Sequence, residues 1–215
     1  PFTSFYEAQL ITDFIALIEK LGLRPVLLPF SPNGKAQHVK GFLQRFARTA
    51  SKTADFLNRV AKLGMPMVGV DPATVLCYRD EYNQTLGDKR GDFHVQLVHE
   101  WLQTALAERN IQPTSGEAWY LFAHCTEVTS LPSTPDQWRD IFSRFGVKLE
   151  NINVGCCGMA GTYGHESKNL ENSRGIYALS WQQQLEKLPR QRCLAPGVSC
   201  RSQVKRTEGS RAGGR

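Results

Sequence analysis

Short apolar runs alternate with longer segments of helical spacing along most of the chain, and this alternation limits the fold more than any other feature. Residues 67–70 and 118–123 have the length and the β-branched or aromatic content of buried strands. From Leu10 to Leu21 an apolar residue recurs every three or four positions, as on one face of a helix. Strands separated by helices favour parallel sheets with right-handed crossovers. We therefore expect an α/β fold of two related modules, with short parallel sheets flanked by helices.

Capping residues and turn residues predict where the elements begin. Ser4-Phe5-Tyr6-Glu7 has the pattern of a capping box, and Asp71-Pro72 and Thr134-Pro135 each open a helix with proline near its first position. The remaining predicted elements are a buried strand over 24–29, one or two helices between Val39 and Gly64, a helix over 95–106, a strand ending at 153–155, a long helix over 164–188, a strand near Leu194 and a helix from Ser199.

Two spacings indicate that the halves repeat one plan. Pro29 and Thr74 are 45 positions apart, Cys157 and Cys200 are 43 apart, and both intervals run from a strand end across a long helix. We expect a degenerate first module over 1–90 that lacks its opening strand, a second module over 91–206 and a flexible basic tail over 207–215. Both ends read as cuts, so we expect a piece of a longer protein.

The net charge of +6 is concentrated at the C-terminus and does not indicate a nucleic-acid surface. Residues 201–215 hold five basic side chains and Glu208, which leaves only about +2 for the other 200 residues. A charged, glycine-rich tail is typical of a solvated segment, so we exclude nucleic acid as a partner. No apolar run has the length of a membrane helix. We expect a cytoplasmic protein without a transmembrane segment.

Five of the six cysteines lie in the second half of the chain. Clustered cysteines in an intracellular protein favour metal or redox chemistry over structural disulfides. Each follows or ends a predicted strand, and the carboxyl ends of parallel strands meet at one sheet edge, where ligands collect. We therefore expect these thiols to lie together as candidate metal ligands: Cys125, Cys156, Cys157, Cys193 and Cys200.

The adjacent pair Cys156-Cys157 is the sharpest feature of this group. Successive residues of a regular strand face opposite sides, so both thiols reach one site only if the chain turns there. Gly155 and Gly158 flank the pair and permit a turn. The glycine-rich run 158–164 leads into the predicted long helix, whose N-terminus would stabilise a thiolate.

Ligand type alone leaves several interpretations of the thiols open. Soft thiolates suit iron–sulfur clusters and zinc alike, and a thiol/disulfide pair or a site with no bound species fits the same residues. His124 and His165 flank the cysteines as candidate hydrogen-bond donors to ligands or as structural histidines. Cys77 in the first half reads as a small buried hydrophobe. Run 158–164 lacks the lysine of a P-loop, which argues against nucleotide binding.

The cysteine pattern resembles a known family. Cys125, Cys156-Cys157-Gly158 and Cys193 are spaced as in the cysteine-rich CCG domain, which occurs in heterodisulfide reductase and in anaerobic glycerol-3-phosphate dehydrogenase. More closely, 124–127, 154–166 and 200–206 resemble the C-terminus of bacterial D-2-hydroxyacid dehydrogenases that contain FAD and 4Fe-4S clusters, of the D-2-hydroxyglutarate or D-lactate type. This resemblance extends along essentially the whole chain.

The resemblance implies an electron-transfer region of an oxidoreductase, with a 4Fe-4S cluster on the cysteines. In such parents, flavin and ferredoxin-like domains precede this region, and they and an electron acceptor would be its partners. FAD would bind in the parent and not here, so we expect the fragment to be inactive alone. The parent or its acceptor would bring the chain to the periphery of the inner membrane.

One departure from the family pattern supports an alternative function. CCG domains close with C-x2-C, whereas six residues separate Cys193 from Cys200, and Gly197 takes the first cysteine position of that pair. The first module keeps only Cys77 and has Leu28-Pro29-Phe30 where a CCG would stand. The alternative is a structural or interaction module with vestigial cysteines that supports assembly of the parent.

Overall fold

The computed structural model describes Thr3 and residues 6–114 and 116–209. Two compact units divide the chain, Pro1–Val98 and His99–Arg215. Each contains short parallel strands connected through helices, so the predicted α/β class is confirmed. No helix in the described part of the chain is both long and apolar enough to cross a membrane.

The first unit holds a two-stranded parallel sheet. Strand β1 pairs with β2 so that Met67 lies beside Val95 and Gly69 beside Leu97. Two helices and a 3-10 turn over Gly87–Arg90 connect the two strands. The elements of this unit are α1 (Ala8–Lys20), α2 (Lys35–Val39), α3 (Leu43–Ala61), β1 (Met67–Gly69), α4 (Pro72–Arg79), α5 (Glu81–Leu86) and β2 (Val95–Leu97).

Helix α3 supplies one wall of the first core because its apolar residues recur at helical spacing. Phe46, Ala50, Ala54 and Leu57 are all buried on one face. The prediction that Asp71 caps the next helix is confirmed, since its carboxylate accepts from the Thr74 backbone N–H at 3.1 Å.

The Cys77 side chain is fully buried in the first core. Burial raises the pKa of its thiol to about 12. A neutral thiol in an apolar setting behaves as a small hydrophobe, as the sequence predicts for this cysteine.

Two sequence predictions in the first unit are wrong. Residues 24–29 form no strand and Val26 and Leu27 are exposed, because Pro25 and Pro29 have no N–H to donate to a ladder. Residues 95–97 form strand β2 and not the start of a helix, since β1 provides a parallel partner for the β-branched Val95. The predicted capping box falls partly on Ser4 and Phe5, outside the described residues.

The second unit is built on a three-stranded sheet in the order β4-β3-β5, with both pairings parallel. Its 3-10 turns span Tyr163–His165, Ser167–Asn169 and Arg190–Arg192. The helix α6 (Val98–Leu106) follows β2 directly. The remaining elements are β3 (Trp119–Leu121), α7 (Cys125–Ser130), α8 (Thr134–Arg144), β4 (Leu149–Asn151), α9 (Leu170–Leu185), β5 (Cys193–Leu194) and α10 (Val198–Glu208).

Both faces of this sheet are covered, which explains the continuous apolar run around β3. Leu121 and Ala123 belong to a cluster on one face and Phe122 to a cluster on the other, as expected when successive side chains point to opposite sides. The second cluster contains Cys157, Cys200 and the large side chains Met159, Tyr177, Trp181 and Leu185.

Two helix boundaries differ from the sequence predictions. The long helix begins at Leu170 and not near Gly164, because the intervening residues form two 3-10 turns. Helix α10 runs to Glu208, so residues 201–208 are helical and not part of a solvated tail. Residues 210–215 lie outside the described part of the chain.

Candidate thiol site

Four of the five predicted cysteines follow the carboxyl ends of the parallel strands. Cys125 is the first residue of α7, four positions after β3 ends. Cys156 and Cys157 lie in the loop after β4, and Cys200 lies in the first turn of α10 after β5. Because these strands are parallel and adjacent, their carboxyl ends meet at one edge of the sheet and the thiols meet there.

The four thiols form a continuous group of sulfur contacts, which we call the thiol site. Cys156 is hydrogen-bonded to Cys125 and to Cys157, and Cys157 is also hydrogen-bonded to Cys200. Cys156 is exposed, Cys125 is half-buried, and Cys157 and Cys200 are buried. All six cysteines of the chain are free thiols. The thiol site therefore has one open side, at Cys156, and one side within the core.

Negative charge is concentrated on Cys156. Hydrogen bonds from Cys125 and Cys157 lower the pKa of the Cys156 thiol well below its ordinary range, and the Gly158 N–H and His124 act in the same direction. The hydrogen bond to Cys156, followed by burial, raises the pKa of Cys125. Hydrogen bonds to Cys156 and Cys200, again with burial, raise the pKa of Cys157. A thiolate at Cys156 is thus stabilised by thiols that stay protonated.

The source predicted from sequence for this stabilisation, the N-terminus of the long helix, is wrong. That helix begins only at Leu170. The donor that the structure provides is a local one, because the Gly158 backbone N–H lies 3.3 Å from Cys156 Sγ. A short turn therefore does what the helix end was expected to do.

Gly158 permits the turn that brings both thiols of the pair into one site. Its φ is +84°, in the left-handed region, and a Cβ built there would lie 2.2 Å from the Ser173 carbonyl oxygen. Gly155 does not share this role, because a Cβ there would meet only Ser180 Oγ at 3.8 Å. Of the two glycines predicted to permit the turn, only Gly158 is required.

A buried polar network that the sequence analysis missed fixes the loop after the pair. Ser173 Oγ donates to the Gly158 carbonyl oxygen at 2.7 Å, and Gln203 Nε2 donates to the Ser173 carbonyl oxygen at 3.0 Å. Arg206 Nη2 donates to Ser173 Oγ at 2.9 Å, and Arg206 Nη1 donates to the Gly164 carbonyl oxygen. The recurrence of Cys200, Gln203 and Arg206 every three positions was the available signal, since it places them along one side of a helix.

His124 is buried immediately before Cys125 and packs against the loop after β5. A Cβ at Gly197 would lie 2.2 Å from His124 Cδ2, so the absence of a side chain at 197 makes room for the ring. The position at which a C-x2-C pattern would have its first cysteine thus faces a histidine. His165 differs, because it is exposed in the 3-10 turn Tyr163–His165.

Helix α7, which carries Cys125, is anchored by a second buried pair that sequence reasoning did not single out. Glu127 Oε1 lies 3.3 Å from His99 Nδ1, and both side chains are only 1% exposed. The His99 ring also packs against the Trp138 ring, with centroids 5.5 Å apart. These contacts hold the first turn of α7 against α6 and α8.

Cys193 lies apart from the four contacting thiols. It is the first residue of β5, paired in register with Tyr120, and its thiol donates to the Pro189 carbonyl oxygen at 3.5 Å. Burial raises the pKa of Cys193 to about 11, which keeps it neutral. A residue inside the strand does not reach past the strand's carboxyl end, where the other thiols meet.

The donor chemistry of the thiol site fits an iron–sulfur cluster or zinc, since both bind cysteine sulfur. The thiols contact one another directly, whereas ligands of a cluster surround it. In keeping with this, no group of three or more His, Cys, Asp or Glu side chains in the described part of the chain is arranged to hold a metal ion. Ligation would therefore require the sulfurs to separate, and the role of the five cysteines as ligands stays a prediction.

Two bacterial proteins named D-2-hydroxyglutarate dehydrogenase align with nearly the whole chain. The protein from Pantoea ananatis is 84% identical over 210 residues, which are 98% of this chain and 20% of that protein. The protein from Escherichia coli is 70% identical over 210 residues, 98% of this chain and 21% of that protein. Similarity of this extent confirms the resemblance to D-2-hydroxyacid dehydrogenases, which are oxidoreductases.

A more distant similarity links the chain to another dehydrogenase. The C-type component of anaerobic glycerol-3-phosphate dehydrogenase from Escherichia coli is 25% identical over 185 residues, 82% of this chain and 46% of that protein. No family model matches the chain. The chain corresponds to the C-terminal part of dehydrogenases of the D-2-hydroxyglutarate type, and it spans about a fifth of their length.

Proposed function

We propose that this chain is the electron-handling part of a larger dehydrogenase that oxidises a D-2-hydroxyacid at FAD. The observation that carries the proposal is the contact group of Cys125, Cys156, Cys157 and Cys200 at one sheet edge. Its relatives are named for the oxidation of D-2-hydroxyglutarate, which makes that hydroxyacid the first substrate to test with the longer protein.

In this proposal the four thiols hold an iron–sulfur cluster of the 4Fe-4S type. Such clusters take four cysteine ligands, and a bound cluster would supply one-electron transfer between the flavin and an acceptor. The chain's own residues provide the surroundings. The Gly158 N–H donates to Cys156 Sγ, and hydrogen bonds to ligand sulfur tune a cluster's potential. Phe122, Met159 and Trp181 exclude water from the buried side.

The partners follow from the same proposal. The flavin and ferredoxin-like domains of the longer protein deliver electrons, and a separate acceptor removes them at the exposed side of Cys156. The two units would be a degenerate first CCG module and a second module that keeps the cysteines. The protein would act in the cytoplasm, at the inner membrane when its acceptor is there.

Anaerobic purification tests the cluster directly. We expect brown protein with about four iron atoms and four labile sulfides per chain, because the four thiols form one site. Cys156→Ser should lose most of the iron, whereas Cys77→Ser and Cys193→Ser should keep it. Colourless protein after anaerobic reconstitution, or stoichiometric zinc in place of iron, would contradict the proposal. Equal loss of iron in Cys193→Ser would show that the wrong ligands were chosen.

A further inference from the structure

The first unit begins with an arm that contributes no side chain to the core. We define the apolar arm as residues 8–30, which comprise α1 and the extended segment after it. Among the described residues, no apolar side chain before Phe46 is buried. Ten of the twelve large apolar side chains that are exposed in the described part of the chain lie in the first unit.

Helix α1 has two distinct faces, as a helix that packs against another surface requires. Leu10, Leu17 and Leu21 recur at helical spacing on the apolar side. The opposite side is polar, and there Gln9 Nε2 donates to Asp13 Oδ1 at 2.8 Å. None of the residues in this helix is buried.

The extended segment continues this apolar surface without a charge. Residues 25–30 contain no charged side chain, and Val26 and Leu27 are 68% and 72% exposed. Contiguous apolar surface of this kind marks interaction sites on proteins. The segment therefore fits an apolar partner and rejects a charged one.

The root of the arm is fixed in the core by polar contacts. Asn33 Nδ2 donates to Thr74 Oγ1 at 3.1 Å, and Tyr82 donates from its hydroxyl to the Asn33 carbonyl oxygen at 2.8 Å. Ser31 Oγ lies 3.0 Å from Thr53 Oγ1. The arm thus leaves the first unit at a defined place, which suits a partner that meets it in one orientation.

We propose that the apolar arm docks onto an apolar surface of the remaining part of the longer polypeptide. The relatives that match 98% of this chain are about five times its length. Most of each such protein thus lies outside the matched region, while the match itself includes nearly all of the arm. A surface on the same polypeptide is present at high effective concentration, so it competes well with a second copy.

Hydrogen exchange on the full-length protein tests this docking. We expect amides of residues 8–30 to exchange about tenfold more slowly in the longer polypeptide than in this chain alone, because packing suppresses local opening. Leu27→Asp in the longer polypeptide should return the arm to fast exchange. Leu179→Asp is the matched control, since Leu179 is 74% exposed in the second unit, and it should leave the arm protected.

Three results would overturn the proposal. The first is equal exchange of the arm in the longer polypeptide and in this chain alone. The second is protection that disappears on twentyfold dilution, which would assign the arm to a second copy. The third is unchanged protection in Leu27→Asp.

Discussion

Cys156 differs from the other thiols in both exposure and charge. It is exposed, and hydrogen bonds from its neighbours lower its pKa. Cys77 and Cys193 show the opposite behaviour, with pKa values raised by burial to about 12 and about 11. Because the thiolate is the reactive form, these environments predict a strong selectivity in thiol chemistry.

Iodoacetamide should therefore alkylate Cys156 first, with a rate that changes little between about pH 6 and pH 8. A depressed pKa means that the thiolate is already present below the ordinary range. A thiol of ordinary pKa would react roughly 50 to 100 times faster at the higher pH. Peptide mass spectrometry of timed samples measures the site and rate. A fast-reacting Cys77 or Cys193, or an ordinary titration of Cys156, would contradict this assignment.

Gly158 should be the least replaceable glycine near the thiol site. Gly158→Ala introduces a Cβ at positive φ against the Ser173 carbonyl oxygen, and we expect it to lower the free energy of unfolding by at least about 2 kcal/mol. Gly175→Ala is the control. Gly175 lies inside α9 with open space around it, so alanine should stabilise by about 0.5 to 1 kcal/mol. Urea unfolding of both variants measures the difference, and equal effects would refute the steric argument.

At the scale of elements, the position of α7 depends on a buried pair more than on its own length. Six residues give little helical stability, so contacts such as that of Glu127 with His99 hold the helix that carries Cys125. A disturbance of this pair therefore reaches the thiol site through the helix.

Glu127→Ala should lower the free energy of unfolding by about 3 to 5 kcal/mol, because it leaves His99 buried without this partner. Glu150→Ala provides the contrast. Glu150 forms an exposed ion pair with Lys148, whose loss should cost less than about 1 kcal/mol. Thermal unfolding followed by circular dichroism compares the two. Similar losses in both variants would mean that the buried pair contributes no more than a surface pair.

The sequence was sufficient to place the cysteines and insufficient to place the contacts that support them. Strand ends in a parallel sheet meet at one edge whatever their loops do, so the meeting of Cys125, Cys156 and Cys200 follows from the strand pattern alone. The strand over 95–97 and the exposure of 24–29 depend on which tertiary partner is present, and local pattern does not contain that information. Cys193 was included because a strand end and a strand start look alike in sequence.

At the scale of the whole molecule, the chain contains the thiol site and no flavin-domain pattern. We therefore expect the purified chain neither to bind FAD nor to oxidise D-2-hydroxyglutarate, whereas the longer protein should do both. Flavin absorbance after gel filtration and dye reduction with the hydroxyacid measure these properties. Flavin-dependent turnover by the chain alone would contradict the expectation.

The separation of the thiols along the chain has a consequence for how the protein matures. Cys125 and Cys156 are 31 positions apart, and Cys157 and Cys200 are 43 apart. Only the adjacent pair is therefore preformed during synthesis, and the full set exists only after the β4-β3-β5 sheet has assembled. Non-local assembly of this kind is slow compared with helix formation. Newly made chains thus spend their folding time with separated, ordinary thiols, and this is the period in which oxidation would do most harm.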